Sequence, residues 1–97
     1  MMSLEARFEE AIVEREIPEE VIETARALLT EYEYKGGRAP STLAAGALYL
    51  AWLASKYTPP DQQVIAAWFD RSQISLRNGK GDLIDHFGQQ RLSEILK

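Results

Sequence analysis

The run Leu43-Ala44-Ala45-Gly46-Ala47-Leu48-Tyr49-Leu50-Ala51-Trp52-Leu53-Ala54 is apolar on every side, and it constrains the fold more than any other feature of the chain. It is far short of the roughly 20 residues that a membrane span requires. A helix that is apolar all round and too short for a bilayer belongs in the middle of a bundle. Its small residues let neighbours approach closely on several faces, as a central helix surrounded by others requires. The expected fold class is therefore all-α: one domain over residues 1–97, about five helices packed around this element. The chain's 97 residues suffice for one hydrophobic core, since a domain of that size buries roughly 60 to 65% of its unfolded surface. The absence of cysteine rules out a disulfide framework and any cysteine-ligated zinc site.

The flanking segments supply the other helices. Ser3 is placed to cap an amphipathic first helix reaching Glu16, with Leu4, Phe8, Ala11 and Ile12 at helical spacing. Pro18 suits a first helical position, and Glu19 and Glu20 suit the positive end of the helix dipole. The second helix then carries Val21, Ala25, Leu28, Leu29 and Tyr32 on one stripe and stops near Lys35-Gly36-Gly37. The third opens at Pro40 and ends at Ser55-Lys56. Thr58-Pro59-Pro60-Asp61 resembles a capping box, which predicts a short fourth helix turning Val64, Ile65, Trp68 and Phe69 inward. Ser72 is placed to cap a fifth, running through Ile74, Leu76 and Arg77 to Leu83, Ile84 and Phe87. Gly88 ends or bends it, and residues 89–96 fit a final amphipathic turn or two, a short sixth helix. Each glycine of Gly79-Lys80-Gly81 weakens a helix by about 1 kcal/mol relative to alanine, which leaves open whether the fifth helix breaks there. The fourth and fifth helices, joined by a turn of three or four residues, make a helix-turn-helix candidate. Most of the large aromatics are expected in the core, with Tyr34 and Tyr57, at helix ends, the two expected at the surface.

Charge divides the chain unevenly. Residues 1–34 hold ten acids and three bases, and residues 35–97 hold five acids and eight bases, for a net charge of −4. Any anionic partner should meet the C-terminal two-thirds. There Arg71, Arg77 and Lys80 form a small basic stretch with no acid between residues 71 and 81, suited to phosphates and base edges. Lys35 and Arg38 are candidates to join it. Catalytic chemistry finds little support. Gly79-Lys80-Gly81 lacks the spacing of a P-loop and follows a helix rather than a strand. Among Asp82, Asp85 and His86, adjacent helical residues diverge, and no second histidine exists to complete a metal set. Glu9-Glu10 and Glu19-Glu20 are explained by solvation and by the helix dipole. The expectation is a chain that is not an enzyme and takes no cofactor and no metal. Its N-terminus lacks the pattern of a signal peptide, so a soluble, cytoplasmic protein with no membrane partner is expected.

From Ile17 to about Phe87 the sequence resembles one cyclin-type repeat of the transcription factor IIB family, most closely the second repeat of the archaeal factor. The residues that carry the resemblance are Gly37-Arg38-Ala39-Pro40-Ser41-Thr42-Leu43-Ala44-Ala45-Gly46-Ala47-Leu48-Tyr49-Leu50-Ala51, followed in register by Ile74-Ser75-Leu76-Arg77-Asn78. The resemblance implies a five-helix cyclin-like fold whose last two helices form a helix-turn-helix that reads DNA beside a TATA element. The family's base-reading positions fall on Ile74 and Arg77, three apart and so on one helix face. An arginine there can pair with guanine while an aliphatic neighbour packs on a thymine methyl. The expected DNA-contacting set is Ile74, Arg77, Arg71, Ser75 and Lys80, and the expected partner is double-stranded DNA, with the protein then nucleoid-associated. A TATA-binding or other transcription protein is a further partner the resemblance implies. The family carries an N-terminal zinc ribbon and two cyclin repeats, whereas this chain has no cysteine and room for one repeat, so a homodimer is expected to restore the two-repeat grip. The competing expectation is a protein-interaction module of the same fold. It would bind a transcription protein or itself through the acidic first two helices, without DNA contact.

Overall fold

Local signals start each helix, and the packing partner decides where most of them end. The structure, a computed structural model, describes residues 3–96. The Ser3 hydroxyl accepts the Ala6 N–H at 3.1 Å and opens α1 (Leu4–Ile12). This helix stops four residues before the expected Glu16. Glu14 adopts a left-handed φ of 64°, and Arg15 folds back to donate from Nε to the Ala11 carbonyl at 2.9 Å. The Arg15 guanidinium lies 4.8 Å over the Trp68 ring, a cation–π contact that replaces another helical turn. Helix α2 (Glu19–Glu31) ends at Tyr32, ahead of the glycines, where the backbone becomes extended. The Tyr32 ring meets His86 at 4.6 Å and Phe87 at 6.4 Å.

Helix α3 (Pro40–Ala54) has the expected bounds, with Pro40 in its first turn and every residue from Ser41 to Leu48 buried. Helix α4 (Gln62–Trp68) is capped by the Asp61 carboxylate, which accepts the Gln63 N–H at 2.8 Å, so Asp61 takes the capping role expected of the Thr58 box. Its inward face is Ile65, Ala66 and Phe69, with Trp68 half-buried; Val64 is exposed, contrary to expectation. On a helix this short a single stripe faces the core, and Val64 lies off it. Helix α5 (Gln73–Ile95), capped by Ser72, passes through Gly79-Lys80-Gly81 without interruption and breaks at Gly88 instead. Residues 89–95 continue as helix beyond that break, so the expected sixth helix is the far half of α5. Among the described residues there is no strand.

All four other helices touch α3. Phe8, Leu28, Leu29, Ile65, Leu76 and Leu83 are fully buried around Leu43 and Leu48; burying each such side chain contributes about 1.5–3 kcal/mol. The crossing between α3 and α5 is tight. A Cβ on Gly46 would stand 2.5 Å from the Lys80 backbone nitrogen, and one on Gly79 would collide with the Thr42 carbonyl. Two glycines facing each other let the helix backbones touch, and this contact holds α5 helical where its local propensity is weakest. Of the two tyrosines expected at the surface, Tyr57 is exposed. Tyr34 is half-buried against the core, its hydroxyl donating to the Arg38 carbonyl at 2.7 Å.

Candidate nucleic-acid interface

The turn between α4 and α5 spans residues 69–72 and has a defined geometry. The Arg71 N–H donates to the Ala66 carbonyl at 2.9 Å and the Asp70 N–H to the Ala67 carbonyl at 3.1 Å. This paired pattern is a Schellman termination. Asp70 takes the left-handed position at φ 57°, one that aspartate tolerates better than most residues. Immediately after it the Ser72 hydroxyl accepts the Ser75 N–H at 3.1 Å and starts α5. Both ends of the turn are thus closed by hydrogen bonds, which fixes the direction in which α5 leaves.

Helical spacing puts Ile74, Arg77, Asn78, Gly81 and Asp85 on one side of α5, opposite the buried Leu76, Gly79 and Leu83. Ile74 is 68% exposed, the most exposed large apolar side chain described. Arg77 is exposed and has no ion-pair or hydrogen-bond partner among the described residues. Ser75 is half-buried beside the cap. Arg71 donates from Nε to the buried Ser41 hydroxyl at 2.7 Å, tying the turn to the start of α3. Lys80 is half-buried and leans over the Tyr49 ring, with Nζ 5.5 Å from its centroid; the Tyr49 hydroxyl in turn accepts from Gln62 Nε2 at 3.0 Å. Ile74 and Arg77 therefore share one open face, while Ser75 lies near the helix start and Arg71 and Lys80 reach Ser41 and Tyr49 of α3.

The remaining bases are engaged elsewhere. Arg26 grips Glu9 through two hydrogen bonds of 2.6 and 2.8 Å, clamping α2 to α1. These bonds hold the Glu9 carboxyl below its ordinary range and raise Arg26. Arg7 pairs with Glu10, Lys35 with Glu33, Lys56 with Glu20, and Arg91 with both Glu31 and Glu94. Arg38, a candidate for the basic field, bonds Asp82 at 2.6 Å, and this carboxylate raises its pKa. Neither Lys35 nor Arg38 adds unopposed positive charge. Asp82 bonds Arg38, and His86 lies against Tyr32.

No family model, curated protein or solved structure matches this chain. The candidate face accordingly rests on its own residues. Among the described residues, Arg15, Arg71, Arg77 and Lys80 are the bases without a carboxylate partner, and the last three all belong to the turn and to the first two turns of α5. Asn78 and Tyr49 were not singled out for this surface from the sequence. Asn78 was legible, since it lies four residues after Ile74. The Tyr49 contact with Lys80 was not, because it depends on how α3 and α5 cross.

Proposed function

We propose that this chain is a stand-alone DNA-binding or transcription-regulating domain of the transcription factor IIB-like kind. In this proposal the fold is cyclin-like and α4 and α5 serve as a helix-turn-helix. The observation that carries it is the one on charge: nearly every other described base is neutralised by a carboxylate, and Arg71, Arg77 and Lys80 are not. The first two turns of α5 enter the major groove, as recognition helices do. Arg77 pairs with the O6 and N7 of a guanine, and Ile74 packs on a thymine methyl beside it. Arg71, Ser75 and Lys80 meet phosphates and fix the register without reading sequence.

The alternative, a module that binds a transcription protein or a second copy without DNA, draws on the apolar Ile74 and Ile84, both exposed on α5. Its acidic helices are less available than the sequence suggests, because Glu9, Glu10, Glu19, Glu20 and Glu31 all face basic side chains within the chain. The weight of this favours DNA. Fluorescence anisotropy of a labelled duplex titrated with the protein at several salt concentrations tests it. Binding that weakens linearly in log–log form as salt rises is expected; absence of binding at low salt rejects the DNA proposal and leaves the protein module.

A further inference from the structure

We propose that the cleft between α2 and α3 docks residues 89–96 of a second copy of this chain, by exchange of the C-terminal segment about Gly88. In the single chain this segment turns back after Gly88 and lies along α2. Arg91 pairs with Glu31 at the end of α2. Leu96 reaches a cleft lined by Glu20 and Thr24 near the start of α2 and by Ala51 and Ala54 near the end of α3. Leu92, Ile95 and Leu96 are half-buried against the core. The cleft and the segment therefore match both in charge and in apolar surface, and the match is made of contacts that another copy of the segment supplies equally well.

A single residue decides which copy is used. Gly88 has φ 76° and ψ 164°, a region populated essentially by glycine alone. Helix lies on both sides of it and the neighbouring residues include no proline. Rotating Gly88 into the helical region makes α5 one rod of 23 residues, about 34 Å long at 1.5 Å per residue. A straight α5 no longer turns back at Gly88, so residues 89–96 leave their own cleft. That exposes Leu92, Ile95 and Leu96 and empties the cleft at once. A two-fold dimer restores both losses, each segment filling the other chain's cleft. Exchange keeps the cis contacts, so the balance is set by chain concentration and by the conformation at Gly88. This inference stands apart from the DNA proposal, and its test contains no DNA.

Nothing lies within 4 Å of a Cβ placed on Gly88, so Gly88→Ala disfavours the reversed backbone without disturbing the core. Sedimentation velocity should show the wild-type chain mainly monomeric at micromolar concentration and Gly88→Ala dimeric, with dimerisation strengthened about ten- to a hundred-fold. In the Gly88→Ala background, Glu31→Arg and Arg91→Glu each place like charges at the docking contact. Mixing the two chains pairs opposite charges at both contacts of an exchanged dimer, so the mixed dimer should form at least about tenfold more tightly than either parent dimer. A Gly88→Ala chain that stays monomeric to high micromolar concentration overturns the exchange. Dimers with no preference for the mixed pair overturn the docking of 89–96 on α2.

Discussion

Two glycines within one helical turn of α5 have opposite roles. Gly79 faces the Thr42 carbonyl, a backbone atom that has nowhere to go, whereas a Cβ on Gly81 meets nothing within 4 Å. Gly79→Ala should therefore cost about 1–3 kcal/mol through overpacking, while Gly81→Ala should stabilise by about 0.5–1 kcal/mol through helix propensity. Denaturant midpoints of the two variants should move in opposite directions; a shared direction would place the α3–α5 contact elsewhere. Sequence alone could not tell these glycines apart, because the difference comes from Thr42, more than thirty residues away. At the proposed DNA face the distinction is between base and backbone. Arg77→Ala should cost about 1–3 kcal/mol on a preferred duplex and relax its selectivity. Lys80→Ala should weaken all duplexes alike. Arg77 is exposed and unpaired among the described residues, so its removal should leave the melting temperature almost unchanged. A folded Arg77→Ala chain with full affinity and selectivity would remove this face from consideration.

At the scale of elements, the turn before α5 and the segment after Gly88 each turn on one carboxylate. Asp70 is the acid next to the unopposed bases, and asparagine accepts its left-handed backbone equally well. Asp70→Asn should raise duplex affinity about two- to five-fold at low salt, an advantage that fades as salt screens it. Its stability should fall by no more than about 1 kcal/mol, from the lost interaction with the start of α5. The Glu31 carboxyl is held below its ordinary pKa, chiefly by its hydrogen bonds from Arg91 and further by the charges of Arg91 and His86. A lowered folded-state pKa contributes stability that is complete above the unfolded value and is lost as pH falls through the folded one. Residues 89–96 should thus loosen as pH drops below the ordinary carboxylate range, while α3 stays packed. Amide order parameters for Leu92 and Ile95, compared with Leu48 across that range, would show it. How legible each element was depended on where its end is decided. Pro40, Ser55 and Ser72 mark helix ends locally, and those ends were read correctly. The early stop of α1 depends on Arg15 finding Trp68, and the exposure of Val64 depends on which stripe of a short helix meets α3.

Over the whole molecule, positive charge is largely cancelled in place. Glu10, Glu9, Glu20 and Glu31 of α1 and α2 pair with Arg7, Arg26, Lys56 and Arg91, and these exposed pairs contribute little stability each. Their larger effect is on the field, since they leave the α4–α5 end as the place where positive charge is unopposed. The sequence showed the asymmetry between its two parts but not this cancellation, because Arg38–Asp82 and Arg91–Glu31 join residues 44 and 60 positions apart. A quantitative expectation follows for the DNA proposal. Arg71 and Lys80 neutralise about two phosphates and the Arg77 guanidinium on its base adds at most the charge of a third, so log affinity against log salt should have a slope of about −2 to −3 for one domain on one site. The exchanged dimer places two such faces on one particle, and on a duplex long enough for both its slope should approach about −5. Measuring the slope for wild-type and Gly88→Ala proteins on the same duplex separates the cases. A steeper slope only for Gly88→Ala means that both faces engage; equal slopes near −2 to −3 mean that each duplex meets one face at a time. A slope beyond about −6 for the wild-type monomer would require more phosphate contacts than Arg71 and Lys80 supply, and would move the DNA interface away from the first turns of α5.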